Sequence, residues 1–336
     1  MHLEDDRLCL LCAASCEAVG PVSLRRLAAG ARRDKLALAA ALGLGAAELA
    51  GRYGLARGPA RALAALADPR ARGLALLREL AAAGVRPVFE GELGYPLELL
   101  RLGDSAPAVL FLAGDAGALE ARRIAVVGSR TPTRAARAGA QSFAQTLARA
   151  GVTVVSGGAR GIDMTAHAGA LRGGATAAVP AMGVLRFEWA GCSPDAVRGG
   201  RWCVVGQFPP DSEWQTRQAL MRNRTIAALA DAVVAFEPRD CGGTWRTCLL
   251  ALQMRKPLFL VTASSGACHA RALVRLVRMG ATALDPCSMP DAEEFAQLAR
   301  DYEPVRGAAQ TGLFAQGGPE DGGDVRPGIP DCGLGL

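Results

Sequence analysis

Apolar side chains recur at helical spacing through the first part of the chain, as at Leu24, Leu27 and Leu38. Glycine and proline breaks separate these runs, and the pattern predicts a small all-helical N-terminal domain over residues 1–85. The following segment, 86–122, is less regular and contains an apolar run at 108–112. We interpret that segment as a connector with some strand content.

Beyond residue 122, short apolar runs rich in β-branched residues alternate with amphipathic stretches of helical period. Near-continuous apolar strands separated by helices are typical of a mainly parallel sheet covered by helices on both faces. The sequence therefore predicts an α/β domain over residues 123–288. Strands are expected at 124–127, 152–155, 177–179, 202–205, 232–236, 258–261 and 281–284, and helices near 134–150, 162–172, 217–229, 244–254 and 268–279.

The C-terminal part has two patterns. A helix is expected within residues 289–306, and the last 30 residues, 307–336, contain nine glycines and three prolines with little apolar patterning. This composition predicts a disordered tail. A transmembrane helix is not expected, because the chain has no run of about 18 apolar residues.

Cysteine usage indicates a reducing compartment. Ten cysteines in 336 residues are far fewer than a disulfide scaffold uses, so we expect a cytoplasmic protein. Cys9, Cys12 and Cys16 share one helical face, which suits a core of small residues; a metal site is the weaker alternative because no fourth ligand lies nearby.

Positive charge is concentrated in the middle of the chain. The whole sequence carries a net charge of +6, whereas residues 123–306 carry +8. This excess indicates an anionic partner such as a phosphate or a nucleic acid. The alternative is a general composition bias, because all basic residues except Lys35 and Lys256 are arginines.

Ligands of parallel α/β sheets bind beyond the carboxyl ends of the strands, so the loops at those ends hold the candidate chemistry. The first loop contains Gly128, Ser129 and Arg130 ahead of a helix start. It suits a phosphate, although a plain strand-to-helix turn remains an alternative. The dinucleotide pattern G-x-G-x-x-G is absent, so we expect no nicotinamide or flavin cofactor.

The second loop, 156–161, places three glycines around Arg160 and predicts a backbone anion nest. Asp163 is expected to cap the next helix or to hold Arg160. His167 lies one helical turn from Asp163. A structural role for the Asp163–His167 pair is favoured over a catalytic one, because no nucleophile is adjacent.

Two further loops enter helices. In the third, Arg222, Asn223 and Arg224 are consecutive, and side chains about 100° apart on a helix cannot all face one ligand. The fourth, 241–247, is a Gly/Thr turn suited to an anion. Its Trp245 is open to two interpretations, stacking on a base or burial under the helix.

These loops resemble the DNA-processing protein A (DprA/Smf) family. Its V-G-S-R motif is matched at 127–130, its S-G-x-A-x-G-I-D-x-x-A-H signature at 156–167, and its R-N-R at 222–224. The resemblance implies an extended Rossmann-like DNA-binding domain and a phosphate- or DNA-binding set. That set comprises Gly128, Ser129, Arg130, Ser156, Gly157, Arg160, Gly161, Asp163, Arg222, Asn223, Arg224, Gly243, Thr244 and Thr247.

The resemblance further implies a protein without catalytic residues, cofactor or metal that binds single-stranded DNA in natural transformation, forms a homodimer and helps load the RecA recombinase. Later motifs diverge, since Ala219-Leu220 stands where the family has Phe-Pro, and no C-terminal winged-helix module is expected. The alternatives are a nucleotide sensor and an enzyme that cleaves nucleoside monophosphates. The enzyme is disfavoured because its loop glutamate is missing after Thr247.

Overall fold

The structure is a computed structural model, and it describes residues 2–262, 267–286 and 288–301. The predicted tail, 307–336, lies outside these residues, as does the end of the segment predicted at 289–306. None of the helices within the described ranges is long and apolar enough to cross a membrane.

Six helices form the N-terminal region, as predicted. They surround a core of buried side chains that includes Leu27, Leu49 and Leu63. These positions are apolar at helical spacing, so each helix buries one stripe against its neighbours. The helices are α1 (His2–Ala14), α2 (Pro21–Arg33), α3 (Leu38–Leu42), α4 (Ala46–Tyr53), α5 (Arg57–Ala64) and α6 (Pro69–Ala82).

A nine-stranded sheet forms the centre of the molecule, with the strand order β1-β2-β6-β5-β4-β3-β7-β8-β9. The seven strands from β6 to β9 along this order pair in parallel. The strands are β1 (Val85–Phe89), β2 (Val109–Gly114), β3 (Arg123–Gly128), β4 (Thr153–Ser156), β5 (Ala175–Ala178), β6 (Arg201–Gly206), β7 (Ala232–Phe236), β8 (Leu258–Val261) and β9 (Thr282–Leu284). The predicted α/β class is confirmed.

Helices cover both faces of this sheet. One face packs Ile124, Val126 and Phe236 against Phe143, and the other packs Ala125 and Val233 against buried apolar side chains of other helices. Both faces are therefore apolar, as continuous hydrophobic strands require. The helices are α7 (Arg134–Arg149), α8 (Ile162–Ala170), α9 (Pro194–Gly199), α10 (Thr216–Leu229), α11 (Gly242–Gln253), α12 (Ala267–Arg278) and α13 (Ala292–Arg300).

The segment predicted as a connector supplies β1 and β2, which pair antiparallel with each other and extend the sheet through β6. Pro87 lies in β1, whose only partner among the described strands is β2, and an edge strand tolerates a residue without an N–H. Along β2, Leu110 and Leu112 face the core of the sheet, whereas Val109 and Phe111 face the N-terminal helices. The sheet and the N-terminal helices thus share apolar side chains.

Candidate functional site

The loop after β3 is held by hydrogen bonds to the end of β7 and by a helix cap. The backbone N–H of Ser129 donates to the carbonyl of Phe236 over 3.1 Å. Thr133 accepts from the N–H of Ala136 at the start of α7 and donates its hydroxyl to the buried Glu237 carboxylate over 2.6 Å. A capped helix start beside a fixed strand end leaves little freedom to the loop between them.

Three of the predicted loops contact one another at this edge. The N–H of Ile162, at the start of α8, donates to the carbonyl of Ser129 over 3.1 Å. The hydroxyl of Thr244, on the first turn of α11, donates to the carbonyl of Gly128 over 2.8 Å. The loops after β3, β4 and β7 are therefore joined by direct hydrogen bonds.

Glycine is required where these loops meet. Gly161 has φ +92°, a region that side chains with a Cβ avoid, and a Cβ there would overlap the carbonyl oxygen of Ser129. At Gly128, a Cβ would overlap the carbonyl oxygen of Phe236 and lie 2.7 Å from Cγ1 of Ile162. The glycines thus permit close packing of backbone on backbone.

A buried ion pair lies under the second loop. Asp163 and Arg222 are only 5% and 6% exposed, and Nη1 of Arg222 lies 3.6 Å from Oδ2 of Asp163. The guanidinium occupies the space that a Cβ of Gly157 would need. The N–H of Ala159 donates to the same carboxylate over 3.3 Å. The pair supports the loop from within and is not on its surface.

Burial raises the pKa of Asp163, while the Arg222 guanidinium and backbone N–H groups act in the opposite direction. Burial also lowers the pKa of Arg222, although an arginine stays protonated in proteins. The expectation that Asp163 holds Arg160 is not met, because among the described contacts its partners are Arg222 and backbone amides.

Arg222, Asn223 and Arg224 lie within α10, and the prediction of a loop at a helix start is wrong for them. They point in different directions, as the helical spacing predicted. Asn223 donates to the carbonyl of Gly243 over 3.3 Å and so joins α10 to the start of α11. Arg224 is exposed and donates to the hydroxyl of Ser105 over 3.3 Å. Of the three, only Arg224 has an exposed guanidinium, and it lies away from the Asp163 side of the helix.

Side chains of the fourth loop form contacts within the protein. The hydroxyl of Thr247 donates to the carbonyl of Gly243 one turn earlier, and Thr247 is buried. Trp245 is 7% exposed, and the Arg275 guanidinium lies 4.6 Å from its ring centroid. Burial is therefore the correct interpretation of Trp245. The residues of this loop that remain exposed are Cys241, Gly242, Gly243 and Arg246.

Ser156 and His167 are wholly buried and serve the fold. The Ser156 hydroxyl donates to the carbonyl of Val126 over 2.6 Å. The Thr176 hydroxyl donates to a strand carbonyl, so it accepts from Nδ1 of His167, 2.7 Å away. Burial lowers the pKa of His167 to about 3, which keeps the ring neutral. His167 therefore bonds to Thr176, and Asp163 to Arg222, in place of an Asp–His pair.

Two of the predicted arginines remain open at the edge. Arg130, after β3, and Arg160, after β4, are exposed, and within the ranges that the structure describes neither forms an ion pair. Near Arg130 lies an exposed aromatic residue that the sequence analysis did not single out. Trp214, in the loop after β6, has its ring centroid 6.0 Å from Cζ of Arg130.

Metal-binding side chains do not cluster in this part of the chain or elsewhere in the described ranges. Cys9 and Cys12 are buried in the helical N-terminal region, and burial raises the pKa of both thiols. Burial of these two side chains agrees with the predicted core face, whereas Cys16 lies beyond the end of α1 and is half-buried, so it is not part of that helical face.

Comparison with known proteins identifies relatives in the family that the loop motifs resemble. The family described as DNA recombination-mediator protein A matches residues 87–294, more than half of the chain. The DNA processing protein DprA of Bacillus subtilis is 29% identical over 216 residues, covering 63% of this chain and 71% of the relative. Protein Smf of Escherichia coli is 33% identical over 176 residues, which cover 51% of this chain and 46% of Smf. The chain thus spans about half of Smf.

Two solved structures share the fold. DNA processing protein A from Streptococcus pneumoniae superposes with a TM-score of 0.65 at 22% identity, covering 87% of this chain and 96% of its own. That from Helicobacter pylori, studied for its single-stranded DNA binding mode, superposes with a TM-score of 0.53 at 22% identity, covering 65% and 97%. On the extent of the family match, the chain belongs to the DNA recombination-mediator protein A family, which includes the DprA and Smf proteins.

Proposed function

We propose that this protein binds single-stranded DNA along the carboxyl edge of its parallel strands. The observation that carries the proposal is the pair of exposed arginines, Arg130 and Arg160, on two loops joined by the Ile162–Ser129 hydrogen bond. Neither guanidinium has an ion-pair partner in the described chain, so both are available to phosphates.

Backbone geometry supports the same proposal. Gly158 has φ +69° and Gly161 φ +92°, and they flank Arg160 in a turn entering α8. The N–H groups of Gly157 and Ala159 donate to the buried Asp163 carboxylate and that of Ile162 donates to Ser129, so the predicted backbone anion nest is occupied from within. An external anion is favoured here by the positive end of the α8 dipole. A flexible polyanion can therefore lie close to the backbone here, with the two arginines beside it.

The buried Arg222 has an indirect part in this proposal. Its charge is neutralised by Asp163 at 3.6 Å, and it fills the space behind Gly157. We assign it the role of holding the loop in shape, with Asn223 doing the same for Gly243. Ser156, Thr244 and Thr247 likewise support the loops through hydrogen bonds to carbonyls.

The wider role is part of the proposal as well. The relatives are DNA processing proteins, and we propose that this chain acts without catalysis in natural transformation, protecting incoming single strands and helping to load RecA as a homodimer. The cytoplasmic location expected from the cysteine content stays a prediction.

A salt titration tests DNA binding. Each phosphate neutralised on a single strand contributes about 0.7 to the slope of log K against log salt. Arg130 and Arg160 together account for about 1.4 of that slope, so Arg130→Ala and Arg160→Ala should each flatten it by about 0.7. The measurement is fluorescence anisotropy of a labelled oligothymidine between 50 and 200 mM salt, a range of about fourfold over which such slopes are resolved.

Arg61→Ala is the matched control, because Arg61 is an exposed arginine on α5 in the N-terminal region. It should leave the slope unchanged, as should Arg224→Ala if Arg224 stays with Ser105. An affinity indifferent to salt contradicts the proposal. Micromolar binding of a mononucleotide with none of the oligomer would favour a nucleotide sensor.

A further inference from the structure

Trp214 is the exposed tryptophan of this chain. It is 47% exposed, whereas Trp245 is buried and the rings of Trp189 and Trp202 pack against each other with centroids 5.6 Å apart. Leaving a large aromatic ring half in water forgoes much of the free energy that its burial would contribute. An exposed ring at a candidate nucleic-acid edge is therefore a candidate for contact with a ligand.

The loop that carries Trp214 is firmly anchored. The N–H of Gly183 donates to the carbonyl of Ser212 over 2.8 Å, and the N–H of Leu185 donates to the carbonyl of Pro210 over 3.0 Å. Arg186 pairs with Asp211 at 2.9 Å. Trp214 then lies two residues before α10 begins at Thr216. The ring is thus presented by a preorganised loop, which lowers the entropy lost on binding.

Arg130 lies beside this ring although it follows a distant strand. Trp214 follows β6 and Arg130 follows β3, and two other strands separate these in the sheet. Cζ of Arg130 nevertheless lies 6.0 Å from the Trp214 ring centroid, at the outer limit of a cation–π contact. A contact so long and exposed is weak, so a stacked base can replace it while the guanidinium turns to a phosphate.

We infer that Trp214 is a stacking platform for a nucleobase whose phosphate is bound by Arg130. This inference rests on the proposed single-stranded DNA binding and adds the group that contacts the bases. Every base has a π-face, so the platform tolerates any sequence. The bases of double-stranded DNA are not available to this platform, because they are already stacked in the duplex.

The test separates base contacts from phosphate contacts. Binding of an oligothymidine is compared with binding of an abasic deoxyribose-phosphate oligomer of the same length, for the full chain and its variants. Trp214→Ala should weaken oligothymidine binding about fivefold to a hundredfold, the range measured for loss of one base-aromatic stack. Binding of the abasic oligomer should not change, and the salt slope should stay that of the unaltered protein.

Two variants sharpen the comparison. Trp214→Phe keeps an aromatic ring and should retain most of the affinity for oligothymidine. A stacked base should quench the fluorescence of Trp214, and this quenching should be absent in Trp214→Phe. Leu93→Ala removes another large apolar side chain, one that is wholly exposed in the segment after β1, and should have no effect.

The outcomes distinguish the inference from the proposed function. If the unaltered protein binds oligothymidine with a salt-dependent affinity and Trp214→Ala binds it equally well, the stacking platform is refuted and DNA binding stands. If the unaltered protein binds neither oligomer at 50 mM salt, where phosphate contacts are strong, DNA binding itself fails, and the platform with it.

Discussion

Removing the arginine of the buried Asp163–Arg222 pair should destabilise the fold strongly. Arg222→Met keeps an unbranched side chain under Gly157 but leaves the Asp163 carboxyl buried without its cation. Breaking one partner of a buried ion pair costs about 3–5 kcal/mol of the free energy of unfolding. Urea denaturation followed by circular dichroism measures this loss.

The pH dependence of that variant carries a second signature. Burial already raises the pKa of Asp163, and Arg222 is the largest opposing influence, so its removal raises the folded-state pKa further. Folding then favours the protonated carboxyl. The variant is most stable below the unfolded pKa of about 4 and loses up to about 1.4 kcal/mol per pH unit as the pH rises towards the folded-state pKa.

A double variant provides the control. Asp163→Leu together with Arg222→Met replaces both charges by apolar groups, and such replacements of a buried pair are often close to neutral. The double variant should therefore recover most of the stability and lose the pH dependence. If the effects of the two single substitutions simply add, or if Arg222→Met costs less than about 1 kcal/mol, the two groups do not interact as described.

Two further changes test the packing around the site. Burial lowers the pKa of His167 from 6.5 to about 3 on folding. The free energy of unfolding should therefore fall as the pH drops from 6.5 towards 3, by up to about 1.4 kcal/mol per pH unit. His167→Gln should flatten this slope in denaturation curves measured across that range. Gly161→Ala should lower the free energy of unfolding by about 1–3 kcal/mol because φ is +92° there. Gly139→Ala in α7 should raise the free energy of unfolding by about 0.5–1 kcal/mol, because a Cβ at Gly139 would lie 3.7 Å from the nearest atom, in the Phe236 ring. Equal midpoints for these two glycine variants would contradict the assigned strain.

The parallel part of the sheet could be predicted from the sequence because its signals are local. Each strand from β3 to β8 is a short apolar run, and all of them except β5 are followed by a helix that the apolar period predicted. The short α9, between β5 and β6, was not predicted. Strand content was expected in 86–122, but the places of β1 and β2 in the sheet could not be predicted in this way. Besides β1, β2 pairs with β6, more than 80 residues later, and no local pattern specifies a pairing at that distance.

The candidate site could likewise be predicted only in part. Its loops could be located, because the carboxyl ends of parallel strands share one edge. Which arginine stays exposed depends on tertiary packing, so the sequence could not separate the buried Arg222 from the open Arg130 and Arg160. Trp214 gave no periodic signal, since it stands in a loop, and its importance follows only from its exposure and its distance to Arg130.

The side chains shared between the N-terminal helices and the sheet limit how the protein can be divided. Phe111 and Val204 are buried in the same cluster as Leu11 and Leu27, so a fragment beginning at residue 86 would present an uncovered apolar strip to water. Strips of this kind promote aggregation. Preparations that omit the first six helices would precipitate or self-associate for that reason, and DNA-binding measurements on them would report on the exposed strip as much as on the loops.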